Sequence, residues 1–567
     1  MDYKQEAALW LSSAYFDEKT KAEIRSIADE EELKDRFSET LAFGTAGMRG
    51  VIAAGTNRMN IYTVRRATYG LANYLKKYVP KSSNESYHVA ISYDNRHGSQ
   101  EFALNAALVL CACDIRVSLF DRLSPTPELS FAVRYLKCDA GIMVTASHNP
   151  KEYNGYKAYN SEGCQFLPND AKKIVDEVNA IQNYESIPLI SREMALKNKA
   201  LNYLDDSFHQ FFYDAVLPQS VLSEQQAKQN LKIVYTPLHG TGSIPVKTIL
   251  KTDGFSDVTE VKEQAVPDPN FSTVVSPNPE NKDALDLAIR LAESVGADLV
   301  IGTDPDADRV GSAVLHQNRY QLLSGNQVGA LLLDFILSRK QQNEDLPKDA
   351  FMVKTIVTSE LGGRVAQWYN VAIHNVLTGF KYIGEQITLS IQNRTGEFQF
   401  GYEESYGYLA GTHVRDKDAV VTSMLLSEMT AYYKKNGKTL VDALEDLYQK
   451  FGYYEDVTDS YRFEEYNGDK IMARIMDSFR KNAHILLPEY DFVVKDYEPG
   501  IEGLPSSNVL KLIFPDDSWL AIRPSGTEPK IKFYYSLRGK TRDEARARFQ
   551  SLHALVDSCI MEHRKAE

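Results

Sequence analysis

The stretch Ala140-Gly141-Ile142-Met143-Val144-Thr145-Ala146-Ser147-His148-Asn149-Pro150 decides how the chain reads. It opens as a short apolar strand, Ala140 to Thr145, and breaks into a loop of turn-forming residues. The same alternation repeats upstream. Pro125 to Cys138 reads as a helix with proline in its first turn, and Ile115 to Phe120 as a strand. Ser99 to Cys113 reads as a helix, Val89 to Tyr93 as a strand and Thr63 to Tyr78 as a helix. Strands alternating with helices of this length predict an α/β domain with a largely parallel sheet. Ligands of such sheets bind beyond the carboxyl ends of the strands. The residues that follow each strand are therefore the ones to question.

The pattern resumes downstream with a strand at Leu231 to Tyr235 and a helix at Asn281 to Val295. That helix has Leu285, Ala288, Ile289, Ala292 and Val295 on one face and Gly296 as its stop. Asp298 to Gly302 reads as the next strand, and a third α/β stretch runs from about Gln321 to Phe451. From Tyr453 the layout changes. Val509 to Phe514, Trp519 to Ile522 and Ile531 to Ser536 are closely spaced strands, followed by a long helix from Thr541, an α+β arrangement. The first forty residues are charged, with apolar residues at helical spacing, and read as a helical extension. The expected division is 1–40, 41–205, 206–320, 321–452 and 453–567. A chain of 567 residues allows about four domains at roughly 150 residues each.

Composition narrows the function. Hydrophobic residues make up 43% and charged residues 25%, with a net charge of −13. A chain this acidic lacks the basic footprint of a general nucleic-acid binder, so a site for an anionic substrate must be locally basic. Cys111, Cys113, Cys138, Cys164 and Cys559 are odd in number and irregular in spacing, without a CxxC pair. That argues against a disulfide framework and a zinc site, and for a reducing compartment. The start shows no signal peptide, and no apolar run is long enough to span a bilayer. The expectation is a cytoplasmic protein without membrane or nucleic-acid partners.

Four loops and one glycine-rich segment carry chemical possibilities. In Thr145–Pro150, Ser147 sits at a strand end beside His148 and not far from Lys157. A serine hydroxyl needs a base, a metal or a cation to act as a nucleophile, and the same residues also suit a plain turn. In Asp304-Pro305-Asp306-Ala307-Asp308-Arg309, alternate residues of extended chain point the same way, so three carboxylates converge. Oxygen ligands of this kind suit Mg²⁺ or Ca²⁺. The EF-hand is excluded, because the positions for its glycine and its bidentate glutamate hold Arg309 and Leu315. Gly401-Tyr402-Glu403-Glu404-Ser405-Tyr406-Gly407 offers carboxylates and a hydroxyl to vicinal sugar hydroxyls, or forms a polar surface turn. The charge run Arg415-Asp416-Lys417-Asp418 follows closely. Arg523-Pro524-Ser525-Gly526-Thr527-Glu528-Pro529-Lys530 has the makings of a phosphate nest, or of a hairpin turn with surface charges. Phe43–Gly50 adds three glycines at spacing three and Arg49. There is no HExxH, GxSxG or GxGxxG motif.

Taken in order, Phe43–Gly50, Thr145–Pro150, Asp304–Arg309, Gly401–Gly407 and Arg523–Lys530 resemble the motif set of the α-D-phosphohexomutase superfamily, and they span nearly the whole chain. Thr378-Gly379-Phe380-Lys381, with Arg415–Asp418, resembles the phosphoglucomutase branch. The amino-terminal extension and the Asp-Pro-Asp-Ala-Asp loop are similar to the branch holding some bacterial phosphoglucomutases and the phosphopentomutase-like enzymes of animals. The resemblance implies three consecutive mixed-sheet α/β domains plus a C-terminal α+β domain around a central cleft. It implies a phosphorylated Ser147 that ligates Mg²⁺ together with Asp304, Asp306 and Asp308. Glu403 and Ser405 would grip the sugar. Arg523, Ser525, Gly526, Thr527 and Lys530 would hold the non-reacting phosphate, and Arg415 and Arg309 would support substrate binding. Arg49, His148, Lys157 and Lys381 would stabilise charge or move protons. Glucose 1,6-bisphosphate would be intermediate and activator, and the assembly a monomer or homodimer. Phosphomannomutase, phosphopentomutase and bisphosphate synthase activities share these motifs. A non-catalytic sugar-phosphate binder and an aspartate-nucleophile phosphatase are the readings from other classes.

Overall fold

The computed structural model describes residues 2–44, 47–81, 85–463, 468–525 and 530–565. The chain divides into two compact units. The first comprises Met1–Leu323, Phe380–Phe398 and Gly407–Gly437, and the second Ser324–Gly379, Gln399–Tyr406 and Lys438–Glu567.

The first unit begins with helices Tyr3–Ser12, Glu18–Arg25 and Glu30–Phe37. Asp2, Asp17 and Asp29 cap them by accepting backbone N–H groups of the first turn. The extension expected from sequence is thus folded, with Trp10 stacked on Phe16 and edge-on to Phe37 and Tyr62.

Its first sheet contains β1 (Met48–Val51), β2 (His88–Tyr93), β3 (Arg116–Phe120), β4 (Ala140–Val144), β5 (Tyr153–Asn160) and β6 (Leu201–Leu204), in the order β1-β5-β4-β2-β3-β6. β2 is parallel to β3 and β4, and β3 to β6. β5 is antiparallel to β4 and β1. The second sheet holds β7 (Lys232–Thr236), β8 (Asp257–Glu260), β9 (Leu299–Thr303), β10 (Val310–His316) and β11 (Arg319–Leu323), in the order β11-β10-β9-β7-β8. Here β7 is parallel to β8 and β9, and β10 runs antiparallel to β9 and β11. The sheets are therefore largely parallel but mixed, with only β5 and β10 running against the other strands of their sheets. The reason is local: β4 and β9 each return after a short functional loop, which leaves no room for the crossover helix that a parallel neighbour needs.

Helix Lys282–Val295 ends where expected. Gly296 takes φ +66° and its N–H donates to Ala292 O, a left-handed stop that glycine adopts without a Cβ clash. Leu285, Ala288 and Ala292 are buried as read, each apolar side chain of leucine size contributing about 1.5–3 kcal/mol. Val295, the last residue of the helix, is exposed.

The second unit holds β12 (Ala350–Thr355), β13 (Ala372–Val376) and most of β14 (Glu397–Glu403), in the order β13-β12-β14. β15 (Gly407–Ala410) precedes a loop of the first unit. The C-terminal region is an antiparallel sheet of β16 (Tyr453–Arg462), β17 (Val493–Asp496), β18 (Leu510–Ile513), β19 (Trp519–Pro524) and β20 (Lys530–Gly539), in the order β16-β20-β19-β18-β17. Helices Gly468–Leu486 and Arg542–Lys565 accompany it, and residues from both join its core. No helix among the described residues is long and apolar enough to cross a membrane.

Candidate active site

β4 is buried along its length and delivers Thr145 to the start of the serine loop. Ser147 takes φ +50°, a left-handed conformation that costs a non-glycine residue roughly 1–2 kcal/mol. Such strain persists only where surroundings over-determine it, and here they do. The Thr145 hydroxyl donates to Asp94 Oδ2 at 2.6 Å and accepts the Ser147 N–H at 2.8 Å. The buried Arg96 guanidinium donates to the carbonyls of Ser147, Asn149, Pro150 and Tyr153. Gly155 is required opposite, since a Cβ there would lie 2.5 Å from Thr145 O. Ser147 Oγ, held this way, donates to Asp304 Oδ2 at 2.6 Å and lies 3.2 Å from His148 Nδ1.

β9 ends at Thr303 and opens into the acidic loop. Asp304 Oδ1 accepts the N–H groups of Asp308 and Arg309 at 3.0 Å, which curls the loop around its own first carboxylate. Ligand oxygens of Asp304, Asp306 and Asp308 lie within 4.8 Å of one another, the one such group of three among the described residues. Asp306 Oδ2 accepts from Lys157 Nζ at 2.7 Å and from the Thr126 hydroxyl at 2.9 Å. Asp308 Oδ2 lies 3.5 Å from Lys157 Nζ and 3.3 Å from Lys417 Nζ. Burial, then the charges of Asp306 and Asp308, push Asp304 well above the usual carboxylate range. Burial also opposes ionisation of Asp306, but the Lys157 ammonium outweighs it and holds Asp306 low. Asp306 Oδ1 and Asp308 Oδ1 are buried without a hydrogen-bond partner. Three converging carboxylates with orphaned buried oxygens fit a hard divalent cation.

The remaining cations of the first unit take different positions. Arg49 in β1 donates to Asn149 Oδ1 at 3.0 Å, across from Gly155 of β5. Arg309 pairs with Glu280. Lys381 stands beside its neighbour's ring, with Nζ 5.4 Å from the centroid of Tyr382. Arg415, expected at the substrate, is 1% exposed. Its guanidinium donates to Thr412 O at 2.6 Å, Val414 O at 2.9 Å and the Thr388 hydroxyl at 3.1 Å, so in this structure it ties its own loop together. Burial lowers it to about 9.

In the second unit, Glu403 closes β14 and is buried, while Ser405 is partly exposed. Burial, then the charge of Glu403, pushes Glu404 up to about 7, with Lys532 and Arg523 as its cationic neighbours. Arg523 and Lys532 are cross-strand partners on β19 and β20, and the Ser525 N–H donates to Lys530 O at 2.7 Å, which closes the hairpin. Gly526 and Thr527, expected in the phosphate nest, lie outside the described residues, as do Thr45 and Ala46 of the glycine-rich segment.

Four supporting residues escaped the sequence reading. Asp94 and Arg96 follow the strand Val89–Tyr93 directly, so the carboxyl-end rule pointed at them. Thr126 begins a helix after β3, and both its N–H and its hydroxyl donate to Asp306. Lys417 lay in a charge run whose arginine drew attention instead.

The sequence matches the phosphoglucomutase/phosphomannomutase α/β/α domain I over residues 40–185, domain II over 210–317 and domain III over 324–451. It is 40% identical over 516 residues to a phosphoglucomutase of Staphylococcus haemolyticus, covering 88% of this chain and 91% of that one. It is 37% identical over 560 residues to the phosphoglucomutase of Staphylococcus saprophyticus, covering 96% and 98%. Among solved structures, the phosphoprotein pp63/parafusin, a phosphoglucomutase of Paramecium in its open form, superposes with a TM-score of 0.70 at 19% identity, over 92% of this chain and 95% of that one. A phosphoglucomutase/phosphomannomutase family protein of Burkholderia thailandensis superposes with a TM-score of 0.67 at 18% identity, over 91% and 97%. At those identities the superpositions speak for the fold.

Proposed function

The chain belongs to the phosphoglucomutase/phosphomannomutase family, and on that premise we propose that it interconverts α-D-glucose 1-phosphate and glucose 6-phosphate through a phosphorylated Ser147. The observation that carries this reading is the Ser147 hydroxyl set 2.6 Å from Asp304 inside the carboxylate group, with Lys157 across it. A surface turn would leave that hydroxyl in water.

Asp304, Asp306 and Asp308, with the seryl phosphate, would hold Mg²⁺. When bound, Mg²⁺ supplies positive charge for the phosphoryl oxygens. Phospho-Ser147 gives its phosphoryl group to the free hydroxyl of the substrate. The bond from phosphorus to seryl Oγ breaks and one to the sugar oxygen forms, producing glucose 1,6-bisphosphate. The bisphosphate then presents its other phosphate, and Ser147 takes that group back. In the first half the attacking sugar hydroxyl gives up its proton and seryl Oγ gains one; in the second half Oγ gives up its proton and the released sugar oxygen gains one. His148 suits this exchange: burial, then Arg309 and Arg49, hold it well below its ordinary pKa, so its ring is neutral and can accept. Lys157 stays charged against Asp306 and Asp308 and stabilises spread negative charge during transfer. Glu403 and Ser405 engage the sugar hydroxyls, and Arg523, Ser525 and Lys530 the distal phosphate, as a guanidinium fork does well. The five cysteines are free and buried, which supports a reducing, cytoplasmic setting.

The test compares initial rates on the 1-phosphates of glucose, mannose and ribose, with Mg²⁺ and a trace of the matching bisphosphate. A clear preference for glucose is expected. Faster turnover of mannose or ribose phosphate would move the assignment to that sugar.

A further inference from the structure

Two neighbouring arginines of the helix Ile61–Tyr78 have unequal duties. Arg65 donates to Asn105 Oδ1 at 2.8 Å and lies over the rings of Tyr15 and Tyr62. Arg66 forms no ion pair with any described residue, and its Nε is buried without a hydrogen-bond partner. The Tyr184 hydroxyl is buried and unpartnered as well. Both side chains line one cavity of about 210 Å³. They are near enough to feel each other: burial pushes the Tyr184 phenol up to about 12, and the Arg66 charge opposes that rise.

The cavity is shared between two parts of the first unit. Glu6 and Phe37 come from the amino-terminal helices, and Arg66 from the domain those helices cover. Tyr184 joins the two, edge-on to Trp10 with centroids 5.6 Å apart and to Phe16 at 5.8 Å. None of these residues belongs to the group around Ser147.

The donors and acceptors on the wall describe what fits. A buried guanidinium nitrogen without an acceptor is costly, and native structures satisfy such groups with protein, water or ligand. A guanidinium and a phenol hydroxyl together present donors to an oxyanion. The hydroxyls of Ser38 and Thr40 add more donors, beyond what the two oxygens of a carboxylate can use. Glu6 and Glu39 line the same cavity, so a bare anion meets repulsion that a ligand with hydroxyl donors of its own relieves. At roughly 30 Å³ per water, the volume equals about seven waters. That holds a phosphate with a chain of two or three carbons and falls short of the roughly 300 Å³ at which pockets for larger ligands begin.

We propose that this cavity is an anion site separate from the reacting centre, which takes a small phosphomonoester with free hydroxyls, its phosphate on Arg66 and Tyr184 and a hydroxyl toward Glu6, and so braces the amino-terminal helices against the domain beneath them. The site depends on neither Ser147 nor the acidic loop.

The experiment follows hydrogen exchange by mass spectrometry in the full-length protein with glycerol 3-phosphate, inorganic phosphate or malonate at equal ionic strength. Wild type, Arg66→Gln and Tyr184→Phe are compared. Peptides covering 36–42 and 180–186 report on the cavity, and a peptide covering Trp519–Pro524 reports separately on the proposed substrate phosphate site. Expected is slower exchange in the cavity peptides with glycerol 3-phosphate, at lower concentration than inorganic phosphate needs, and no response to malonate. Arg66→Gln should raise the concentration for half the effect about 10–100-fold and Tyr184→Phe about 3–10-fold, with the Trp519–Pro524 response unchanged in both. No slowing at the cavity peptides with glycerol 3-phosphate would overturn the proposal and leave the cavity to water. An equal response in Arg66→Gln, or inorganic phosphate or malonate acting as well as glycerol 3-phosphate, would overturn it too. If Arg66→Gln fails to fold, Tyr184→Phe decides, since it keeps the ring against Trp10 and loses only the hydroxyl; an unchanged response there counts against the site.

Discussion

Lys157 in the first compact unit and Lys511 in the second are both buried strand lysines, and their surroundings treat them oppositely. Burial disfavours the Lys157 ammonium, but Asp306 and Asp308 more than compensate, and its pKa is raised. Lys511 lies 3.6 Å from Glu360, which Lys354 already holds at 3.0 Å, so one carboxylate serves two ammoniums. Its other contacts are a donation to Ile356 O at 2.7 Å and the ring of Trp519 at 4.2 Å. Burial drives Lys511 down to about 7. The number of carboxylates within reach, more than depth, decides whether a buried lysine keeps its charge. The contrast extends to the regions around them. The first unit concentrates paired charges around Ser147, as the proposed phosphoryl transfer requires. The second unit places Glu403, Ser405, Arg523 and Lys530 on strand ends and loops, where the proposed sugar and phosphate contacts would form.

The largest way to break this contrast is Asp306→Asn, which removes one carboxylate from Lys157 and from the acidic cluster. Turnover should fall on the order of 10³-fold with KM little changed, as steady-state kinetics would read. A fall expressed mainly in KM would place Asp306 in ground-state binding instead. Arg96→Lys comes next. A lysine cannot span the four carbonyls that the guanidinium reaches, so the serine loop should loosen and kcat drop about 10²-fold, with the circular dichroism spectrum intact. A wild-type rate would mean the loop holds its strained Ser147 without that clamp.

The antiparallel returns of β5 and β10 explain how much of this was legible beforehand. Strand ends, the serine loop and the aspartate triplet are local patterns, and they appear in the chain as written. Arg96 to Ser147 and Thr126 to Asp306 are contacts 51 and 180 residues apart, and no periodicity reports them. Arg415 and Lys417 show the same limit at short range, because spacing alone does not say which member of a charge run turns inward.

The smallest effect tests the second unit. Lys511 has a folded pKa of about 7 against about 10.4 in an unfolded chain. Between those values the unfolded chain binds a proton that the folded one does not, so wild-type stability rises with pH across that window. Below pH 7 the ammonium is charged in both states and carries its full burial cost. Lys511→Met should therefore melt roughly 2–4 °C higher than wild type at pH 6, an advantage that shrinks toward pH 10. A pH-independent difference would mean that Lys511 keeps its proton in the folded protein.

Phosphoryl transfer through Ser147 is tested most directly on the serine itself. Wild type and Ser147→Ala would be incubated with glucose 1,6-bisphosphate, digested and weighed by mass spectrometry, with conversion of glucose 1-phosphate to glucose 6-phosphate assayed alongside. Expected are one phosphate on the Ser147 peptide of wild type, none on the variant, and turnover lower by about 10⁴-fold or more in the variant, which stays folded. Equal turnover by the two proteins, or phosphate found on one of the aspartates of residues 304–308 instead, would contradict it.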